Sequence, residues 1–176
     1  MKTTRIRLRL VHLSKKAMLL HLIRHAKTDQ ESPTGKDFDR ELLPRGWKQC
    51  AELSTYLIGE LDYTTCRVVC SSAKRTRQTL EGLSANFSEE ETDFTEELYL
   101  CSVKTYLRLI WQENHPDDLV LIGHNFGISD LANYFLDTQI ELRTAEYICI
   151  EFPFDSWDET FQSNGILKSH FRPSAR

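Results

Sequence analysis

Apolar positions recur along this chain in two rhythms. Short, mainly apolar runs at residues 19–24, 67–70 and 119–122 read as buried strands, and 147–152 and 166–171 read as two later ones. Longer stretches carry helical spacing. Behind Pro44, a residue suited to the first turn of a helix, Trp47, Cys50, Ala51, Ser54, Leu57, Ile58 and Leu61 recur at i, i+3, i+4 and i+7 and predict one buried face. Ser71 or Ser72 is expected to cap a second helix reaching about residue 86. Val103, Tyr106, Leu107, Ile110 and Trp111 predict a third, stopped near Pro116, and residues 126–136 a fourth. Residues 26–43 are polar, contain Ser32-Pro33-Thr34-Gly35 and predict a loop. Glu89-Glu90-Glu91 marks a second, solvated loop, so 26–43 and 87–102 supply whatever rim a binding site has.

Strands alternating with helices predict an α/β fold, a three-layer α/β/α sandwich around a mostly parallel central sheet. Ligands in that architecture bind beyond the carboxyl ends of the strands. The residues that follow each apolar run are therefore the ones to inspect.

Composition narrows the partners. The longest apolar runs, such as Leu119-Val120-Leu121-Ile122, are four residues, far short of the roughly 20 a membrane helix needs. A net charge of −4 over 176 residues disfavours nucleic acid. The charge is uneven. Residues 1–17 hold six Lys/Arg and no acid, which leaves 16 basic against 26 acidic residues beyond them. This basic segment is open to two readings, a transit peptide or an upstream extension with Met18 as the working start. It is set outside the fold, and residues 18–176 are expected to form a single domain. Five cysteines form no CxxC pair and no zinc spacing. Their odd number, without a secretory signal, points to reduced thiols, a cytoplasmic setting and a role as small buried apolar groups.

The strand ends carry the chemistry. Arg24-His25-Ala26-Lys27-Thr28 follows the first strand, Ser71 to Thr79 the second, and Gly123-His124-Asn125 the third. Arginine suits bidentate recognition of phosphate, and helix N-termini after strands favour an anion. The chain has no Gly-rich phosphate loop and no metal-ligand spacing, so neither a nucleoside triphosphate, a cofactor nor a metal is indicated. A metal-free phosphate pocket containing imidazole suggests phosphoryl transfer to a histidine and then to water.

Leu22-Ile23-Arg24-His25-Ala26-Lys27-Thr28 resembles the signature of the histidine phosphatase, or phosphoglycerate mutase-like, superfamily, and within it the small SixA-type phosphohistidine phosphatases. Five further segments match that branch in order. They are the FDRxLxxRG-like stretch from Phe38 to Gly46, the segment from Ser71 to Thr79, Glu97-Leu98-Tyr99, Gly123-His124-Asn125 with Leu131-Ala132-Asn133-Tyr134, and Asp155-Ser156-Trp157 with Gly165-Ile166-Leu167. The resemblance spans about residues 19–171. It implies that His25 is the nucleophile that becomes phosphorylated, and that Arg24, Arg75 and His124 clamp the transferring group. Thr28 and Asn125 join the substrate-binding set. Ala26 departs from the superfamily's usual glycine, and Ser72 and Phe126 stand where prolines are common, which touches the shape of helix starts more than the chemistry.

Expelling an alkoxide needs a proton donor, for which Glu96 or Glu97 is the candidate by position, with Glu97 preferred. Expelling imidazole, whose conjugate acid has a pKa near 6.5, needs far less help. A chain with so little rim suits a phosphoryl group presented on a protein, that is phosphohistidine, better than an enclosed small phosphoester. Inorganic phosphate is the product of either. Several other residues are expected to be structural. His21 is read as a hydrogen-bonded core residue, His115 as loop, and Asp37 and Asp39 as loop caps or salt bridges. Lys74 and Arg77 are read as solvent-facing, Arg40 and Arg45 as candidates for the pocket rim, and the late aromatics as edge packing.

Overall fold

The computed structural model describes residues 17–61, 66–114 and 118–174. The basic segment up to residue 16, and His115 and Pro116, expected as loop and helix stop, lie outside the described residues. The elements run β1 (Met18–Arg24), α1 (Pro44–Leu57), β2 (Cys66–Ser71), α2 (Lys74–Glu81), β3 (Thr92–Thr95), α3 (Val103–Trp111), β4 (Asp118–Gly123), α4 (Gly127–Leu136), β5 (Tyr147–Phe152) and β6 (Ile166–Phe171). The sheet order is β3-β2-β4-β1-β5-β6. β1, β4, β2 and β3 are parallel, while β5 and β6 add antiparallel at one edge.

The period of two along the central strands sorts the core into two layers. Leu20, Leu22, Leu119 and Leu121 face one side and pack with Tyr106, Leu107 and Ile110 of α3 and with Ile128, Leu131 and Phe135 of α4. Ile23, Val120 and Ile122 face the other side and pack with Leu53 and Leu57 of α1 and Leu80 of α2. A fully buried side chain of this kind stabilises the fold by about 1.5–3 kcal/mol. The three-layer α/β/α sandwich expected from the alternation is the architecture found. Among the described residues no helix is long and apolar enough to cross a membrane.

Four local expectations need correction. The buried face of α1 is Gly46, Gln49, Cys50, Leu53 and Leu57. Ala51 is exposed, and Ile58 lies past the last turn and is 66% exposed. α2 is not capped by a serine: Ala73 is its N-cap, because Ser71 is still the last residue of β2, and the helix ends at Glu81. Thr92–Thr95, read as loop, is a strand. It is short, polar and paired on one side only, with β2, so no apolar period marks it. Of the late aromatics, Phe152 and Trp157 are buried, whereas Phe161 is exposed. All five cysteines are free; Cys50, Cys70 and Cys149 are buried and Cys66 and Cys101 half-buried.

Gly123 ends β4 where no side chain fits. A Cβ there would lie 1.9 Å from the Tyr106 hydroxyl oxygen. Gly123→Ala is expected to destabilise the fold by about 1–3 kcal/mol, the cost of overpacking a filled core, measured as a lower urea midpoint.

Candidate active site

Topology brings the predicted residues together. β2, β4 and β1 are adjacent and parallel, so their carboxyl ends share one edge of the sheet. Arg24 pairs in register with Gly123, and His25 N–H donates to the Gly123 carbonyl at 3.0 Å. Arg75 enters from the first turn of α2. A backbone loop closes the other side: Arg24 Nη1 donates to the Leu142 carbonyl at 2.6 Å, and Ala145 N–H donates to the carbonyls of Arg24 and His25.

His25 is buried, and its Nδ1 lies 2.8 Å from the Ala26 carbonyl oxygen. A carbonyl only accepts, so Nδ1 carries the proton and Nε2 the lone pair. Ala26 is itself held by its N–H donating to Thr79 Oγ1 at 3.0 Å. Burial lowers the His25 pKa to about 3, and the charges of Arg75, Arg24 and Arg40 add to that against the opposing Ala26 hydrogen bond. His124, almost fully buried, tilts against His25 with ring centroids 5.2 Å apart, and its Nε2 is 2.8 Å from Ser71 Oγ. Burial, then the neighbouring His25 and Arg75, lower its pKa to about 2. Both imidazoles are neutral at pH 7. Among the described residues, three buried nitrogens here find no hydrogen-bond partner: Arg24 Nε, Arg75 Nε and His124 Nδ1.

One carboxylate faces this group. Asp37 Oδ2 accepts from Arg75 Nη2 at 2.9 Å and from the Tyr99 hydroxyl at 2.7 Å, and Asp37 Oδ1 accepts from Arg40 Nη1 at 2.8 Å. Arg75 Nη1 also donates to the Asp37 carbonyl. Burial would raise the Asp37 pKa, but the Tyr99 and Arg40 hydrogen bonds and the Arg75 charge outweigh it and hold the carboxyl well below the usual carboxylate range. Arg40 completes the rim through Nη2, which donates to Thr28 Oγ1 at 2.8 Å. Tyr99 also sets its ring edge-on to His124 at 5.5 Å and under the Arg75 guanidinium.

Arg24, His25, Thr28, Arg75 and Asn125 line one cleft of about 340 Å³, together with Asp37 and Arg40. Arg45 lines a neighbouring cavity instead. The Asn125 side chain is committed to the fold, since Nδ2 donates to the Leu142 carbonyl and Oδ1 accepts from Ser129. These two bonds tie the cleft-lining Asn125 to the Leu142 loop. Glu97 does not line the cleft. Leu98 is buried, Thr95 caps the turn at Glu97 N–H, and the Glu97 carboxylate turns outward to Arg108 Nη2 at 2.7 Å, its side chain 63% exposed. Tyr99 carried no assigned role in the sequence, and Asp37 was expected only as a loop cap or salt bridge. Asp37 does make the expected salt bridges, but inside the cleft. Tyr99 had one signal, its place beside Glu97 in a matched segment. His21 is the expected core residue, hydrogen-bonded to the Tyr147 hydroxyl at 2.8 Å. Lys74 is exposed, and Arg77 stacks on Phe94 and pairs with Glu89. Among the described residues no group of three or more His, Cys, Asp or Glu is placed to hold a metal ion.

A parallel-sheet edge with two neutral histidines and converging arginines defines a phosphate-handling α/β protein. The family model of the histidine phosphatase superfamily (branch 1) matches residues 20–102 of this chain. The fold of the chain is that of the SixA-type proteins. The SixA structure from Nakamurella multipartitia matches with a TM-score of 0.78 at 24% identity, over 91% of this chain and 98% of that one. The SixA structure from Agrobacterium tumefaciens matches with 0.74 at 21%, over 89% and 98%. At these identities the likeness is one of fold. An uncharacterized chloroplastic protein of Arabidopsis thaliana is 26% identical over 157 residues, 83% of this chain and 72% of its own length.

Proposed function

We propose that this chain is a metal-independent phosphatase acting on phosphohistidine or other phosphoryl groups borne by proteins. His25 Nε2 attacks phosphorus, the P–N bond of the substrate breaks, and the leaving imidazole takes a proton from solvent. Water then attacks the phosphorus of phospho-His25, the new P–N bond breaks, and inorganic phosphate leaves. Arg24 and Arg75 offset charge on the equatorial oxygens, with His124 beside them.

The observation that carries this reading is the pairing of a neutral nucleophile with the lack of a protonated acid in the cleft. Asp37, the carboxylate there, is held ionised by three donors, and Glu97 is engaged outside. A leaving group that departs readily fits such a site, and imidazole is one. A small alkyl phosphoester would ask for a donor the cleft does not hold ready.

The test is phosphate release in EDTA from a phosphohistidine peptide and from an alkyl phosphate such as glycerol phosphate, by wild type and Glu97→Gln. Turnover of the peptide is expected to survive the substitution within about twofold, because an exposed ion pair contributes little. A collapse by the roughly 10²–10⁴-fold typical of a lost general acid would assign Glu97 to catalysis and favour the phosphoester reading.

A further inference from the structure

Beside the catalytic cleft lies a second cavity of about 390 Å³ that the mechanism above does not use. Arg45 comes from the first turn of α1, Arg143 from the loop before β5, and Arg172 from the segment after β6. Gln49 and Thr144 complete the wall, and no carboxylate is among the lining residues. In a body with 26 acidic against 16 basic residues beyond position 17, three guanidinium groups around one hollow stand out.

The wall is built rather than incidental. Glu146 is fully buried and accepts from Arg172 Nη2 at 2.9 Å, from Arg143 N–H at 2.7 Å and from His170 Nε2 at 2.5 Å. That fixes Arg172 and the backbone that carries Arg143. Glu52 Oε2 fixes the far side by accepting from Ser174 N–H and Oγ. Neither carboxylate is among the lining residues.

The two cavities adjoin. Thr144 lines both. Gln49 lines the second, and its Oε1 accepts from the N–H of Lys27, which lines the first, at 3.0 Å.

We propose that this cavity is a second oxyanion subsite, taking a further phosphate-like group carried by the same substrate whose phosphoryl group lies against His25. Guanidinium forks match oxyanions bidentately, and several of them suit a dianion. The proposal rests on the phosphatase reading for the word substrate, but the anion site itself does not.

Inorganic phosphate titrated into the full chain, followed through arginine and glutamine side-chain N–H signals, tests the site without turnover. Two sets of shifts are expected, one at Arg24 and Arg75 and one at Arg143, Arg172 and Gln49. Arg143→Glu changes an exposed side chain, so the fold tolerates it, and the second affinity is expected to fall about tenfold or more. A single set confined to the cleft, or a second set indifferent to Arg143→Glu, overturns the proposal.

A kinetic arm identifies the source of the second anion. It compares a small phosphoester carrying one or two phosphoryl groups, and a phosphohistidine peptide with alanine or glutamate beside the modified residue. Selectivity for the doubly charged member of one pair is expected to fall about tenfold in Arg143→Glu and to recover in part in Arg143→Lys. Selectivity unchanged in both pairs overturns the substrate assignment. Wild type that turns over none of the four refutes the proposed function instead, and the phosphate titration then decides the subsite alone.

Discussion

His25→Ala is expected to abolish phosphate release, by on the order of 10⁴-fold or more, the scale seen when a nucleophile is removed. The residue is replaced without an obvious threat to the fold, because Arg24 and Ala145 hold the backbone on either side of it. Wild type quenched during turnover should carry an acid-labile phosphoryl group on His25, and the variant should carry none. Label retained in the variant would move the nucleophile elsewhere. The pH profile supplies an independent check. With its pKa lowered to about 3, His25 stays in the attacking, neutral form from pH 8 down to pH 5. The rate on a substrate whose own ionisation is complete should therefore show no inflection near 6.5, where an ordinary histidine titrates. An inflection there would mean that the attacking imidazole titrates as a solvated histidine does.

The second large effect is on stability in acid. Burial lowers the pKa of His21 to about 3, of His25 to about 3 and of His124 to about 2. In the unfolded chain each titrates near 6.5, so below that pH the unfolded state binds more protons than the folded one. Stability from this source is fully present above about pH 6.5 and is lost as pH falls towards 3. Each group contributes a slope of about 1.4 kcal/mol per pH unit, so three together approach 4 kcal/mol per unit. A domain of ordinary stability, about 5–15 kcal/mol, would unfold within a few units of acidification. Asp37 adds its loss only lower, below the ordinary carboxylate pKa of about 4, where the unfolded chain takes up the proton first. Urea midpoints at pH 7, 6 and 5 should fall with a break near 6.5, and His21→Asn should lessen the slope by one proton's share. Midpoints that stay level over this range would sink the idea that these imidazoles are neutral.

Much of the site was legible because parallel-sheet topology turns sequence order into spatial order. The residues after three apolar runs had to meet at one edge, and Arg24, His25, Arg75 and His124 did. What stayed hidden depends on contacts between distant loops. Asp37 reaches Tyr99 across 62 positions and Arg75 across 38, and no local period announces either bond. The outward turn of Glu97 stayed hidden for a related reason. Neighbours in a 3-10 turn point in different directions, and once Leu98 entered the core, Glu97 faced Arg108 and Tyr99 faced Asp37. The buried face of α1 slipped because alanine and isoleucine were counted as apolar wherever they fell, while Gln49, polar by composition, was needed inside to hold Lys27 N–H.

Asp37 has a bearing on how quickly such an enzyme can let go. A cleft whose guanidinium groups already answer to an internal counter-ion grips an oxyanion less tightly than the same groups would alone. Arriving phosphate must share those donors, and departing phosphate returns them to a carboxylate that never left. Under the proposed function, the expected consequence is weak inhibition by inorganic phosphate: ground-state affinity is given up in exchange for freedom to turn over again.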